Sequence, residues 1–435
     1  MFKRGSQARL LATFASFFAL LALPVLAKDE PVRVANAEAA RPGAAAKRAA
    51  AKPSPSQTAS IDRPGASGSF DQFVAKLWPD AKAAGISRAT FDRAFESVTP
   101  DPRIVALTKK QSEFVQPIWS YLASAAGGTR LSRGREVAER HAATLAAVER
   151  TYGVPRSVVL GVWGMETNYG SFTGNMDVVR SLATLAHLRY RGDFFRGELI
   201  TALTLLEQGL SREDMKGSWA GAMGHTQFMP TSYVKFRADG DGDGAADIWK
   251  SVPDALASTA NYLKLHGWKS GLDWGYEVVL PDGFDFRNHR QSLASWAGLG
   301  LRRVDGGGLS GRDEAWLFLP AGASGPAFLV TENYDVIKSY NSSDAYALGV
   351  AHLGDRILGG PTVQGRWPVK EPQLGAKERI EIQKRLATLG HYEGETDGKF
   401  GSKTRAAVRA FQLDRGLPAD GYADASLLAS LRGKR

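Results

Sequence analysis

The chain has 435 residues, no cysteine and a formal net charge of +10. The missing thiols exclude disulfides, thiolate metal sites and attachment through a lipidated cysteine. The basic excess suits a polyanionic partner, such as a cell wall, a membrane surface or nucleic acid, without choosing among them.

Lys3, Arg4 and Arg9 precede an apolar run over residues 10–26 that Pro24 interrupts, and Val25-Leu26-Ala27 offers a small-residue cleavage site. This pattern predicts a signal peptide over residues 1–27. An uncleaved membrane anchor is the competing reading, because the run is nearly long enough to span. Pro24 and the Val-x-Ala ending favour cleavage. Removing the segment takes away three positive charges and leaves the chain basic. Residues 28–69 contain no aromatic residue and are rich in Ala, Pro, Lys and Arg. Such a stretch cannot bury a core and reads as a disordered tether.

Globular composition begins at Phe70, and all ten tryptophans lie between Trp78 and Trp367. Helical spacing is read over residues 70–122, with Phe73, Leu77, Phe91, Phe95 and Phe114 at helix-like intervals, and again over 131–152 and 181–206. Strand-like runs are few: residues 276–280, and 315–330 as a hairpin turning across Ala321-Gly322-Ala323-Ser324-Gly325. The domain is expected to be mainly α with a small β element.

A single carboxylate stands out in Gly161-Val162-Trp163-Gly164-Met165-Glu166-Thr167-Asn168-Tyr169-Gly170. Gly153 and Pro155 open a helix there and Gly170 offers a stop. Val159, Trp163 and Glu166 fall at i, i+4 and i+7, which puts the carboxylate on the apolar face. Desolvation and the negative end of the helix dipole both oppose its ionisation. A glutamate that keeps its proton near neutral pH is what a general acid requires. A buried glutamate hydrogen-bonded for structure is the alternative. Asp177 and Asp193 follow, but nothing marks either as a partner.

The next informative segment is Ser218-Trp219-Ala220-Gly221-Ala222-Met223-Gly224-His225-Thr226-Gln227-Phe228-Met229-Pro230-Thr231-Ser232-Tyr233. Its small residues admit a ligand close to the backbone. Met223, Phe228 and Met229 offer apolar surface, and Ser218 and Gln227 can hydrogen-bond hydroxyls and amides. That mixture suits a sugar cleft, and composition alone fits close helix packing equally well.

Asp239-Gly240-Asp241-Gly242-Asp243-Gly244-Ala245-Ala246-Asp247 matches the start of an EF-hand loop. Asp239, Asp241, Asp243 and Asp247 supply oxygens at positions 1, 3, 5 and 9, and Ala245 a carbonyl at position 7. Position 12 is Lys250 where a glutamate is required, and Asp254 could replace it in a longer loop. Four aspartates this close repel without a cation, which favours a structural calcium over a metal-free acidic turn. The seven histidines form no H-E-x-x-H pattern, so no zinc chemistry is expected.

Pro361, Pro368 and Pro372 mark a linker over residues 361–373. Beyond it, residues 377–389, 403–415 and 425–431 read as three short helices, the first two ended by Gly390 and Gly416. The turns Thr396-Asp397-Gly398 and Ala419-Asp420-Gly421 punctuate them.

Taken together, the Glu166 and Ser218–Tyr233 segments resemble the membrane-bound lytic transglycosylase B family of murein-cleaving enzymes. Asn261-Tyr262-Leu263, His266-Gly267-Trp268 and Ser339-Tyr340-Asn341-Ser342-Ser343-Asp344-Ala345-Tyr346-Ala347 follow in the family's order. Gln111-Ser112-Glu113-Phe114 and Tyr121 look like its N-terminal helical region. The resemblance covers about residues 70–360 and implies a lysozyme-like, α-rich catalytic domain. It further implies Glu166 as the single acid and base, with Ser218, Met223, Gln227, Tyr262, Tyr340, Asn341 and Tyr346 along a glycan cleft. Asn341 is equally readable as a helix cap, and Tyr262 and Tyr346 as core residues with satisfied hydroxyls. Some relatives carry calcium at the aspartate loop. Thr404, Ala407, Val408, Phe411, Gln412 and Gly416-Leu417 resemble the peptidoglycan-binding type 1 module, a small three-helix fold, over residues 374–435.

The function these resemblances imply is cleavage of the β-1,4 bond between N-acetylmuramic acid and N-acetylglucosamine, leaving 1,6-anhydromuramic ends. No cofactor is needed for that chemistry. Glycan strands are the expected partner, nucleic acid is not, and a soluble periplasmic protein without a stable membrane anchor is expected. A hydrolytic muramidase and a non-catalytic wall-binding protein are the alternatives.

Overall fold

The computed structural model describes residues 68–109 and 116–433. The expected signal peptide, nearly all of the tether and Gln111 to Phe114 lie outside the described residues. A helical array comes first: α1 (Phe70–Ala83), α2 (Arg88–Phe95), α3 (Pro102–Lys109), α4 (Ile118–Ala125), α5 (Gly128–Arg140), α6 (Ala142–Tyr152) and α7 (Arg156–Thr167). A two-residue strand β1 (Met176–Asp177) leads into α8 (Val178–His187) and α9 (Phe194–Glu207), and pairs antiparallel with β2 (Lys216–Gly217). The chain continues through α10 (Pro230–Phe236), α11 (Val252–Leu265), β3 (Gly275–Val279), β4 (Arg290–Ser292), α12 (Leu293–Gly298), β5 (Arg302–Arg303), β6 (Glu314–Phe318) and β7 (Ala327–Thr331). It closes with α13 (Glu332–Tyr340), α14 (Asp344–Ile357) and the C-terminal α15 (Ala376–Thr388), α16 (Ser402–Asp414) and α17 (Ala425–Leu431).

Local chemistry sets these boundaries. Ser69 and Gln72 form a capping box at the start of α1, which buries Phe73, Leu77 and Ala81 one turn apart. Asp177 caps α8 by accepting from Arg180 N, and Ser343 caps α14 by accepting from Tyr346 N. All three stretches read as helical are broken, the first into α1, α2, α3 and the start of α4. The helix expected over 131–152 is split at His141, where no glycine or proline signals the break. The one expected over 181–206 is interrupted between α8 and α9, where Arg189, Arg191 and Gly192 all take positive φ.

Strands β4-β6-β7-β3-β5 form one antiparallel sheet, with β6 and β7 as the expected hairpin. Every residue of β7 is buried, and the strand divides two cores. Phe328 and Val330 join the large helical core, whereas Ala327 and Leu329 face a smaller one built with Leu293 and Trp296 of α12. The C-terminal helices enclose a third core around Ile382, Leu386, Val408, Phe411 and Leu428.

At the centre, α7 lies against α14. A Cβ on Gly161 would overlap the carbonyl of Val350, and one on Gly354 would overlap that of Ser157. Small residues on both helices therefore permit backbone-to-backbone approach, and this approach aligns Glu166 on α7 with Tyr346 on α14.

Candidate active site

Glu166 is the penultimate residue of α7. The helix ends because Asn168 turns left-handed at φ 50°, and Tyr169 and Gly170 continue at 60° and 73°. The stop thus comes two residues before the glycine that marks it in the sequence. Gly170 is needed for contact as well as conformation, since a side chain there would strike the His225 ring. Thr167 Oγ1 donates to the His225 carbonyl at 2.6 Å and accepts from Gly170 N at 2.9 Å. Trp163 Nε1 donates to His225 Nδ1 at 3.1 Å. Burial lowers the His225 pKa, which suits a neutral ring accepting at that nitrogen. The end of α7 is thereby fastened to the loop that carries His225 and Gln227.

The Glu166 side chain lines a pocket together with Gln227, Phe228, Met229, Ser232, Tyr262, Ser339 and Tyr340. Burial raises its pKa to about 7, and a hydrogen bond from Tyr346 opposes the rise. That bond runs from the Tyr346 hydroxyl to Glu166 Oε1 at 2.6 Å. Among the described residues lining the pocket, Glu166 is the sole acid. Asp177 pairs with Arg212 at 2.7 Å, and the exposed Asp193 with Arg189 at 3.9 Å. A carboxyl group poised near pH 7 can both give and take a proton under neutral conditions.

The aromatic wall is rigid. Tyr262 and Tyr340 meet edge to face at 4.8 Å between ring centroids, and Phe228 lies 5.8 and 5.9 Å from them. Tyr262 donates to the Ser339 carbonyl at 2.6 Å and Tyr340 to the Thr226 carbonyl at 2.7 Å. Gln227 takes φ 57°, and its Nε2 donates to the carbonyls of Thr173 and Gly224 at 2.9 and 3.0 Å. Its Oε1 accepts from no described donor and is available to a ligand.

The expected cleft residues therefore divide. Gln227, Tyr262 and Tyr340 line the pocket, and Tyr346 reaches Glu166 directly. Met223 is fully buried and bridges Phe228 and Gly217 through its backbone, so it belongs to the core. Ser218 accepts from Ala222 N at 3.1 Å within its own turn. Asn341 ends α13, and its Oδ1 accepts from Ser343 N at 3.1 Å. Ser218 and Asn341 fix loops beside the pocket and do not line it. Ser232 and Ser339 line it and were not singled out in the sequence, where a serine inside a helix-like run carries no signal. Burial holds the Tyr121 phenol on α4 protonated, and the charge of nearby Glu166 adds to this.

The aspartate loop also differs from its sequence pattern. Carboxylate oxygens of Asp239, Asp241 and Asp254 lie within 4.8 Å of one another. Asp247 instead accepts from Trp249 N and Lys250 N, and Asp243 from Ala245 N. Lys250 turns away to Asp214 at 2.8 Å. The buried Asp254, at the start of α11, joins that cluster and accepts from Gly240 N and Asp247 N at 2.8 and 2.7 Å. Three hard oxygen donors at this spacing fit calcium, with Asp243, Asp247 and the Ala245 carbonyl lying outside that cluster.

Comparison with known proteins identifies relatives of this chain. The Transglycosylase SLT domain family matches residues 69–355, and a putative peptidoglycan binding domain matches 375–431. The membrane-bound lytic murein transglycosylase B of Escherichia coli K12 is 36% identical over 217 residues, which span 48% of this chain and 58% of that protein. Crystal structures of SltB3 from Pseudomonas aeruginosa, with NAG-anhNAM-pentapeptide and with NAG-NAM-pentapeptide, are 46% identical. They superpose with a TM-score of 0.78 over 84% of this chain and 99% or more of theirs. The Escherichia coli lytic transglycosylase Slt35 in complex with calcium is 28% identical, with a TM-score of 0.56 over 66% of this chain and 92% of that one.

Proposed function

We propose that this chain, which belongs to the Transglycosylase SLT domain family, is a lytic murein transglycosylase that cleaves the β-1,4 bond after N-acetylmuramic acid. One observation carries the reading: a single, largely buried glutamate, with its pKa near 7 and a tyrosine on one oxygen, in a pocket with no second acid among its described lining residues. Most glycosidases that use water or a protein nucleophile employ a second carboxylate. A transglycosylase needs only one, because its nucleophile is part of the substrate.

Protonated Glu166 gives its proton to the glycosidic oxygen as the C1–O bond breaks. The glutamate, now a carboxylate, takes the proton of the muramyl 6-hydroxyl as that oxygen closes on C1. The product is a 1,6-anhydro end, no water is consumed, and the enzyme recovers its starting protonation. Tyr346 stabilises the carboxylate formed between the two steps. Gln227 Oε1 and the aromatic wall orient the sugars. Incubation with purified sacculi tests the assignment: wild type releases soluble muropeptides and Glu166→Gln, still bound to the wall, releases none. Undiminished release by Glu166→Gln refutes it.

The aspartate loop, in this reading, holds a structural calcium through Asp239, Asp241 and Asp254. An ion there ties the loop after α10 to α11 and takes no part in proton transfer. The C-terminal module holds the enzyme on murein and raises the local concentration of glycan. Murein as substrate implies a periplasmic location after export. No helix among the described residues is long and apolar enough to cross a membrane.

A further inference from the structure

The C-terminal module does more than trail behind the catalytic domain. Asp420 accepts from Ala323 N at 2.9 Å, in the turn between β6 and β7. The same carboxylate is fixed within the module by Gln412 Nε2 at 2.7 Å and Tyr422 N at 2.9 Å. Arg405 on α16 lies over the Phe318 ring, 5.6 Å from its centroid. From there it reaches Asp344 Oδ2 at 2.6 Å, and both side chains are mostly shielded from water, at 27% and 13% exposure.

Asp344 is the first residue of α14 and precedes Tyr346 by two positions. Its carbonyl accepts from the Tyr334 hydroxyl at 2.8 Å, and its Oδ1 faces Lys338 Nζ at 3.1 Å. Tyr334 and Lys338 both belong to α13 and secure one side of this helix start. Arg405 is the contact that reaches it from the module.

Resting on the functional reading above, we propose that Arg405 is a positioning residue for catalysis, by which the docked module clamps the first turn of α14 and thereby holds Tyr346 against Glu166. A short hydrogen bond to a reacting carboxylate is sensitive to displacements well under an ångström, so a loosened helix start is read in kcat before it is read in binding. A module acting only as a tether predicts the reverse: substrate too short to use the wall-binding site would not sense Arg405 at all.

The test is steady-state kinetics of the full-length protein on a short soluble murein glycan. Arg405→Ala is expected to lower kcat by about three- to tenfold with KM little changed. The alkaline limb of kcat/KM is expected to move to higher pH, because a weakened Tyr346 contact no longer favours the Glu166 carboxylate. The groups facing Glu166 are Tyr346 on α14, Tyr340 at the end of α13 and Tyr121 on α4. Those facing Asp344 are Lys338, Asp335, Tyr334 and Arg405. None of the others is altered by the substitution. Arg405→Lys should restore part of kcat, and Asp344→Asn should reproduce the defect without adding fully to Arg405→Ala. If folding fails in the alanine variant, the lysine and Asp344→Asn variants carry the test. Wild-type kcat and an unmoved alkaline limb in Arg405→Ala and Asp344→Asn would overturn the clamp while leaving the enzyme assignment intact. Absence of anhydro product from the wild type would instead remove the reading on which it rests.

Discussion

The Tyr346 hydroxyl and Glu166 Oε1 are joined at 2.6 Å across the interface of two helices that touch backbone to backbone. Burial pushes the glutamate towards its neutral form, and the tyrosine pulls it back by stabilising the anion. The balance near pH 7 lets one side chain serve first as acid and then as base.

Removing the tyrosine donor unbalances the pair in a known direction. Tyr346→Phe is expected to raise the Glu166 pKa further, so the alkaline limb of kcat/KM moves up in pH. It should also lower kcat on the order of tenfold or more, because the carboxylate intermediate loses a charge-assisted hydrogen bond. A pH–rate profile checks both. A limb shifted to lower pH contradicts the assignment.

The same burial has a cost in stability. The folded pKa of about 7 lies above the ordinary value of 4.5. Between these values the folded chain holds a proton that the unfolded chain has released, so this group lowers stability as pH rises through that window. Glu166→Gln does not titrate. Its stability relative to wild type should therefore increase from about pH 4.5 to 7 by roughly 3 kcal/mol, then level off. Urea unfolding at several pH values measures the difference, and a constant offset would argue against a buried, protonated glutamate.

Gly161→Ala tests the helix contact that aligns the pair. Alanine improves helix propensity, yet its methyl group must displace the Val350 carbonyl. Overpacking typically costs about 1–3 kcal/mol, and the separated helices should lower kcat. A lower urea midpoint with an unchanged m-value, together with a fall in kcat, is the expected outcome.

Much of this was legible in the chain. A lone carboxylate among apolar residues reveals itself, and the quoted motifs placed Gln227, Tyr262, Tyr340 and Tyr346 around it. Met223 did not follow, because a methionine among small residues packs a core as readily as it lines a cleft. The break at His141 carries no local signal, since neither a glycine nor a proline stands there. Lys250 stood where a calcium ligand was required, and the fold brings Asp254, the alternative the spacing offered, beside Asp239 and Asp241. The Arg405 contact with Asp344 joins two domains distant in sequence, which no local pattern reports.

Calcium is expected to raise the thermal midpoint of the wild type by several degrees. A free concentration of about one hundred times Kd corresponds to roughly 2.7 kcal/mol if only the folded state binds. Asp241→Asn, which removes an exposed carboxylate of the cluster, should blunt the response. Equal melting of both proteins with calcium and with chelator would show that the loop needs no ion.

If the sugar supplies its own nucleophile to a single glutamate, no solvent oxygen enters the new muramic ends. Digestion of murein in heavy-oxygen water, followed by mass spectrometry of those ends, decides this. The expected ends are lighter than hydrolysed ends by one water and carry no solvent oxygen, and they disappear with Glu166→Gln. Reducing ends labelled with heavy oxygen at C1 would show instead that water is the nucleophile.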